Sequence, residues 1–143
     1  MYKKYFYFIL ALLSTFIGGL IYICFRDENI LLFSWIRFFN IDYSFLRQEV
    51  YSNNIISSYI IYSFPNGLWL LSGFLFLKVF LKNEKTILLF YSIVLIFISL
   101  IIEIGQLFDI MPGTFDIFDL VTIIIFSNIG LAINIYEEKY EKI

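Results

Sequence analysis

The chain has no histidine and only one cysteine, Cys24, among its 143 residues. An intramolecular disulfide is therefore excluded, and so are zinc sites built from cysteine and histidine. Catalysis by a serine–histidine or cysteine–histidine pair is excluded as well, because both pairs need an imidazole base. Any chemistry must come from carboxylates, hydroxyls, arginine, lysine or a bound metal ion.

Charged residues are also scarce, at 15% of the chain, whereas 61% of the residues are hydrophobic and 22% are aromatic. A soluble domain typically has about 25% charged residues. The net charge of −2 is small, and the chain has no basic arm of the kind that binds nucleic acid. The composition predicts a single membrane domain over residues 1–143, with the lipid bilayer as a partner and no nucleic-acid partner.

Four apolar runs approach the roughly 20 residues that are needed to cross a bilayer. We predict an all-α integral membrane protein with spans at about residues 5–23, 65–81, 86–107 and 115–135. The first run is too long for the apolar region of a signal peptide, so it predicts a retained helix. Ser14 with Gly18, and Thr15 with Gly19, predict a small-residue face that packs closely against another helix. Pro65 suits the first turn of the second helix.

The lysines predict the orientation of the chain in the membrane. They precede the first run, border the connection between the second and third runs, and follow the fourth: Lys3, Lys4, Lys78, Lys82, Lys85, Lys139 and Lys142. Four spans place all of these lysines on one side, and the positive-inside rule makes that side cytoplasmic. We expect a multi-pass protein of the bacterial inner (cytoplasmic) membrane with both termini inside. Lys78 is expected to snorkel to the inner interface.

The first outer loop carries a helical pattern over residues 30–47. Its polar residues recur every three or four positions, and aromatic residues occupy much of the opposite side: Ser34, Arg37, Asn40, Ser44 and Arg47 against Trp35, Phe38, Phe39 and Phe45. This pattern predicts an amphipathic helix on the outer membrane surface. The alternative is a fifth span, which would bury two arginines and spoil the lysine asymmetry.

The stretch from residue 101 to residue 120 contains four acidic residues and no basic one. Glu103 lies about 26 Å along its helix from Thr86, inside the boundary of an apolar layer that is about 30 Å thick. A carboxylate there costs several kcal/mol unless it is paired, hydrated or protonated, so Glu103 is a candidate for a functional residue. The alternative is a hydrogen bond to Gln106 or Asn66 that ties two helices together.

Asp116 and Asp119 are three residues apart at the start of the fourth span, next to Glu103 across a short turn. These acids therefore predict a shallow, outward-facing pocket. Their structural alternative is helix capping, with Asp116 as the N-cap and Asp119 in the first turn. Asp109 is expected to be a solvated loop residue. Asn128 falls near mid-bilayer, where an asparagine usually hydrogen-bonds to a neighbouring helix.

The same residues resemble a motif of the VanZ-like membrane proteins, E-x-x-Q, a short turn, and F-D-x-x-D leading into a last helix. The chain has EIGQ at 103–106, GTFDIFDL at 113–120 and, earlier, FPNGLW at 64–69. The resemblance covers mainly residues 64–130 and implies roles for Glu103, Gln106, Phe115, Asp116 and Asp119. Many relatives have an arginine where this chain has Gly113. The family is associated with resistance to glycopeptide antibiotics such as teicoplanin.

The leading hypothesis is a small VanZ-like envelope membrane protein with an outward-facing acidic or polar pocket. We expect the pocket to bind a lipid-linked envelope precursor or another amphipathic molecule. The candidate ligand-binding residues are Glu103, Gln106, Asp116, Asp119, Asn66 and Trp69. The residues assign no catalytic group, no metal ligand and no cofactor.

Two other classes of function stay open from the sequence. One is a membrane enzyme that acts on a lipid headgroup, with carboxylates and a divalent cation that activate water or clamp phosphate. That class lacks a clearly placed phosphate-binding cation in the sequence. The other is an accessory subunit, or an oligomer, that packs through Ser14, Gly18 and the aromatic surface.

Overall fold

The computed structural model describes residues 2–26, 31–47, 55–111 and 113–136, and every regular element within these ranges is helical. The elements are α1 (Tyr2–Phe25), α2 (Leu31–Phe38), a 3₁₀ turn (Ser44–Leu46), α3 (Ile55–Tyr62), α4 (Phe64–Leu81), α5 (Lys85–Leu107) and α6 (Ile117–Tyr136). Four of them, α1, α4, α5 and α6, are long and apolar enough to cross a membrane. The predicted all-α membrane fold is confirmed, and each span ends within a few residues of its predicted boundary. Pro112, Lys139 and Lys142 lie outside the described residues.

Helix α4 lies at the centre of the bundle and runs parallel to α6. Gly67 near its start lies against Thr122, and Lys78 near its end donates a hydrogen bond to the Asn134 carbonyl. The buried apolar core joins these two helices through Leu68, Leu70, Phe74, Ile123 and Phe126. Because α4 and α6 begin at the same end of the bundle, Ser63 and Asp116 lie at that end.

Helix α1 packs antiparallel to α4 through its small residues. At Gly18 an added Cβ would lie 2.7 Å from the Trp69 Nε1, and the Trp69 indole N–H donates to the Thr15 carbonyl at 3.3 Å. The hydroxyls of Thr15 and Ser72 are 2.6 Å apart and share a hydrogen bond. The predicted close packing is confirmed for Gly18. Gly19, in contrast, has no neighbouring atom within 4 Å of an added Cβ.

The lysine end of the bundle contains a buried lysine rather than a snorkelling one. Lys78 is 3% exposed, and its Nζ donates to the Asn134 carbonyl at 3.1 Å. The snorkelling prediction is therefore wrong, because the last turn of α6 offers a free carbonyl within reach of the side chain. The Asn134 Nδ2 also donates to the Ser92 Oγ at 3.0 Å, and this bond joins the last turns of α6 to the first half of α5.

The opposite end, called the carboxylate end below, collects the ends of α1 and α5 and the starts of α4 and α6. It contains Arg26, Ser63, Glu103, Asp116 and Asp119. Lys3, Lys78 and Lys85 lie at the lysine end. This segregation follows from the alternating directions of the four long helices.

Helix α3 precedes α4 and was not predicted. The two helices are separated only at Ser63, where the backbone carbonyl accepts a hydrogen bond from the Asn66 N–H at 3.1 Å. Pro65 explains the break, because it has no N–H to offer to the Ile61 carbonyl and its ring collides with that carbonyl in a continuous helix. Pro65 does occupy the first turn of α4, as predicted. The break leaves the Ser63 hydroxyl and the start of α4 at the carboxylate end.

The helix after α1 is shorter than predicted, and the residues that follow it do not continue the helix. Helix α2 ends at Phe38, and Asn40 adopts a left-handed backbone with φ of 52°, which asparagine tolerates better than most residues. The prediction of one helix over residues 30–47 is therefore wrong. A helix of this length rises only about 12 Å, so α2 is not a fifth span. Trp35 and Phe38 on α2 and Phe39 and Phe45 after it are exposed, as a surface segment requires, whereas Phe33 on α2 is fully buried.

A local turn shapes the chain that follows α2. The Asp42 Oδ1 accepts hydrogen bonds from the Ser44 N–H at 2.9 Å and from the Ser44 hydroxyl at 2.7 Å. These bonds favour the carboxylate and hold the pKa of Asp42 below its ordinary value. The resulting turn leads into the 3₁₀ turn and directs Arg47 back towards α1.

Candidate functional site

The connection between α5 and α6 reverses the chain through a helix-terminating motif. The Ile110 N–H donates to the Gly105 carbonyl at 2.9 Å, and the Asp109 N–H donates to the Gln106 carbonyl at 3.2 Å. This is the Schellman arrangement, with Asp109 in the left-handed position at φ of 54°. Asp109 is exposed, so its predicted role as a solvated loop residue is confirmed.

Replacement of Asp109 by glycine is expected to raise the free energy of unfolding by about 1 kcal/mol, because glycine takes the left-handed conformation without a Cβ clash. Chemical unfolding of the purified protein in detergent measures the change. Asp109→Asn removes the same charge and tolerates the same backbone, so it separates the backbone effect from the charge effect. A glycine variant that is no more stable than the asparagine variant contradicts the prediction.

Glu103 joins the end of α5 to the start of α6. Its side chain is 5% exposed, and its Oε1 accepts a hydrogen bond from the Asp116 N–H at 3.0 Å. The sequence predicted Gln106 or Asn66 as its structural partner. The first free N–H groups of a helix attract a carboxylate, however, and the turn brings those of α6 to Glu103.

Asp116 is the N-cap of α6. Its Oδ1 accepts a hydrogen bond from the Phe118 N–H at 2.9 Å, and its carbonyl accepts from the Asp119 N–H at 3.0 Å. The capping interpretation of Asp116 is therefore confirmed. Its backbone N–H is also engaged by Glu103, so the two carboxylates together organise the first turn of α6.

Asp119 lies in the first turn of α6, as predicted, and its side chain faces the interior of the bundle. Its side chain is 7% exposed and faces the hydroxyl of Ser63 and the amide of Asn66, with Arg26 within electrostatic range. The Asp119 Oδ1 nevertheless has no hydrogen-bond partner among the described residues. The same holds for the Ser63 Oγ and the Arg26 Nε, which are also buried. We call Arg26, Ser63, Asn66 and Asp119 the Asp119 cluster.

Arg26 supplies a cation that the sequence had not assigned to the site. Its guanidinium lies 4.9 Å from the ring centre of Tyr22 and 5.0 Å from that of Tyr62, an arrangement that holds the group by cation–π attraction. Arg47 donates to the carbonyls of Ile23 and Arg26 and so holds the end of α1. The available signal was the position of Arg26 directly after the first span, at the same end as Asp119.

The other predicted site residues divide between the cluster and the surrounding scaffold. Asn66 belongs to the Asp119 cluster, whereas Trp69 packs against α1 and donates to the Thr15 carbonyl. Gln106 packs on the turn: a Cβ added at Gly113 would lie 2.5 Å from the Gln106 Nε2. Gly113 also has φ of 131°, a backbone conformation that favours glycine.

The chemistry that these groups offer is hydrogen bonding and charge recognition. The described residues contain no group of three or more carboxylates or cysteines that is close enough to hold a metal ion. One turn beyond Asp119, the Thr122 hydroxyl donates to the Tyr59 hydroxyl at 3.1 Å, so polar contacts continue from α6 to α3. A ligand group that both accepts and donates hydrogen bonds matches the unpartnered atoms of the cluster.

Comparisons of the chain with protein-family models, with curated proteins and with solved structures gave no significant match. The resemblance to VanZ-like proteins therefore rests on the quoted motifs. The chemistry of the carboxylate end follows from its own side chains.

Proposed function

We propose that this protein is a small VanZ-like envelope membrane protein that binds the polar headgroup of an amphipathic or lipid-linked envelope molecule at its carboxylate end. The observation that carries the proposal is a set of three buried atoms that have no hydrogen-bond partner among the described residues: Asp119 Oδ1, Ser63 Oγ and Arg26 Nε. Buried polar groups without a partner are costly and few in folded proteins. Here they come from α6, the α3–α4 break and the end of α1, and a bound headgroup satisfies all three.

The orientation of the chain supports an outward-facing site. Lys3, Lys78 and Lys85 lie at the opposite end, and the positive-inside rule assigns that end to the cytoplasm. The exposed aromatic residues of the segment after α1, namely Trp35, Phe38, Phe39 and Phe45, follow the carboxylate end in the chain, and such residues favour the membrane interface. An amphipathic ligand at this depth keeps its acyl chains in the outer leaflet of the bacterial cytoplasmic membrane while its headgroup meets the Asp119 cluster.

The charges at this end select the chemistry of the headgroup. Among the described residues around the Asp119 cluster, the three carboxylates of Glu103, Asp116 and Asp119 outnumber the two guanidiniums of Arg26 and Arg47. Glu103 and Asp116 already accept backbone hydrogen bonds, so the Asp119 Oδ1, which has no partner among the described residues, is the oxygen that we assign to a ligand. We infer a headgroup with an ammonium or hydroxyl donor for Asp119 and an oxygen acceptor for the Arg26 Nε.

The test uses a variant that changes charge but keeps the local hydrogen bonds. In Glu103→Gln/Asp116→Asn the glutamine oxygen still accepts the residue-116 N–H, and asparagine is a good N-cap. We expect this variant to bind a lysophospholipid with an ethanolamine headgroup at least about tenfold more weakly, because two negative charges near the ammonium are lost. The shift of the unfolding temperature on titration in detergent measures the affinity.

Asp109→Asn is the matched control, because it removes one charge from the exposed part of the same turn. It should bind like the wild-type protein. The resemblance adds a second readout, since expression of the wild-type chain should lower the sensitivity of a host to teicoplanin more than expression of the double variant. A double variant that matches the wild-type protein in both binding and phenotype contradicts the proposed function.

A further inference from the structure

Asn128 is a polar residue on the exposed surface of α6, close to the middle of the predicted bilayer. It lies about 17 Å along the helix from Ile117, where the rise of each residue is about 1.5 Å. Its Nδ2 donates to the Ile124 carbonyl at 2.8 Å, and it makes no other hydrogen bond within the described residues. Lipid tails offer no hydrogen-bond partner to the remaining N–H and the Oδ1. Within the described residues, the predicted hydrogen bond from Asn128 to a neighbouring helix is not formed.

The surface around Asn128 has the spacing of a helix-pairing seam. Val121, Asn128 and Ile135 are seven residues apart, and Ile124 and Ile125 lie between the first two. All five side chains are exposed. A repeat of seven with intervening apolar residues is the pattern by which two helices pack against each other along their length. We call these five residues the α6 stripe.

We propose that the α6 stripe is the interface of a homodimer, in which the carboxamide of Asn128 hydrogen-bonds to Asn128 of a second copy. A carboxamide has both donors and an acceptor, so it is complementary to itself. A two-fold axis along the membrane normal brings each residue of the stripe to its own copy, and it keeps both chains in the same orientation. A single asparagine in an apolar seam favours a two-stranded pairing. A second copy therefore provides hydrogen-bond partners for the Asn128 carboxamide, which lipid tails do not provide.

The dimer and the proposed headgroup site occupy opposite sides of α6. Asp119 is nine residues before Asn128, which corresponds to a rotation of about 180° around the helix. Pairing through the stripe leaves the Asp119 cluster uncovered. The dimer is therefore independent of the headgroup-binding proposal, and each can fail without the other.

Disulfide cross-linking in the membrane tests the geometry of the interface. In a Cys24→Ser background, Val121→Cys and Ile135→Cys place their Cα atoms about 6 Å from their copies across the axis, within disulfide range. We expect both variants to form covalent dimers on mild oxidation before detergent extraction. Ile98→Cys on the exposed surface of α5 is the control and should stay monomeric. Equal cross-linking at the three positions indicates random collision and overturns the proposal.

Energy transfer between labelled chains diluted in vesicles tests the role of Asn128 itself. Asn128→Val is expected to lower the dimer association constant by about tenfold, the effect of one interhelical hydrogen bond in a membrane. Asn128 is exposed in the single chain, so the variant should keep its fold, and Ile98→Val serves as the control. A wild-type protein that stays monomeric at every lipid ratio, or an Asn128→Val variant that dimerises equally well, overturns the proposal. If the variant does not fold, the cross-linking result with Asn128 intact decides.

Discussion

Asp119→Asn is expected to weaken the binding of an ethanolamine lysophospholipid by about 10- to 100-fold while the helical bundle stays intact. The substitution preserves the size of the side chain, and it removes the charge that accepts the ligand's donor. Hydrogen bonds to charged groups contribute about 1.5–3 kcal/mol, which corresponds to this range of affinity. Asp119 is the buried carboxylate that has an oxygen without a partner among the described residues. Neutralising Asp119 should therefore reduce the ligand affinity more than neutralising any other single carboxylate at this end. Titration calorimetry in detergent measures the change.

Arg26→Gln tests the same cluster from the other side. It removes the guanidinium that faces the ligand's oxygen, so it should also weaken binding. If both residues hold one headgroup, the losses of binding free energy in Arg26→Gln and in Asp119→Asn should not add up in the double variant. Wild-type affinity in Asp119→Asn, together with reduced affinity in Glu103→Gln/Asp116→Asn, would move the site to the α5–α6 turn and contradict the assignment to the Asp119 cluster.

Gly130→Ala is expected to lower the free energy of unfolding by about 1–3 kcal/mol, although alanine is the better helix former. A Cβ at Gly130 would lie 2.3 Å from two atoms of the Phe74 ring. Phe74 is fully buried in the core between α4 and α6, so its ring has no free space in which to move. The two helices must separate to accept the methyl group. Chemical unfolding in detergent measures the loss.

Gly19→Ala provides a matched control for this prediction. It is the same substitution in another membrane-spanning helix, and an added Cβ there meets no atom within 4 Å. It should therefore stabilise the protein by up to about 1 kcal/mol through helix propensity alone. If Gly130→Ala and Gly19→Ala change the free energy of unfolding with the same sign, close packing of α6 against α4 at Gly130 does not contribute to stability as we propose.

The sequence predicts the four spans well because length and continuous apolarity are sufficient to identify a membrane helix. It also predicts the N-cap role of Asp116, since capping depends on a few neighbouring residues. The close approach at Gly18 is equally local, because small residues four apart define one face of a helix. These features need no knowledge of which helix becomes the neighbour.

The errors arise where a distant part of the chain determines the outcome. Burial of Lys78 depends on the Asn134 carbonyl, more than fifty residues away, and no local pattern reveals it. Arg26 lies near Asp119 only because the end of α1 and the start of α6 are at the same end of the bundle. The break at Ser63 could be predicted from Pro65. Helix α3 could not be predicted, because its residues carry no capping or periodic signal of their own.

The most direct test of the headgroup site is a crystal structure of the protein grown in a lipid phase with an ethanolamine phospholipid. We predict headgroup density within hydrogen-bond distance of the Asp119 Oδ1, the Ser63 Oγ and the Arg26 Nε. A direct ion pair between Arg26 and Asp119, with Ser63 bonded to the backbone and the headgroup elsewhere, would contradict the proposed site.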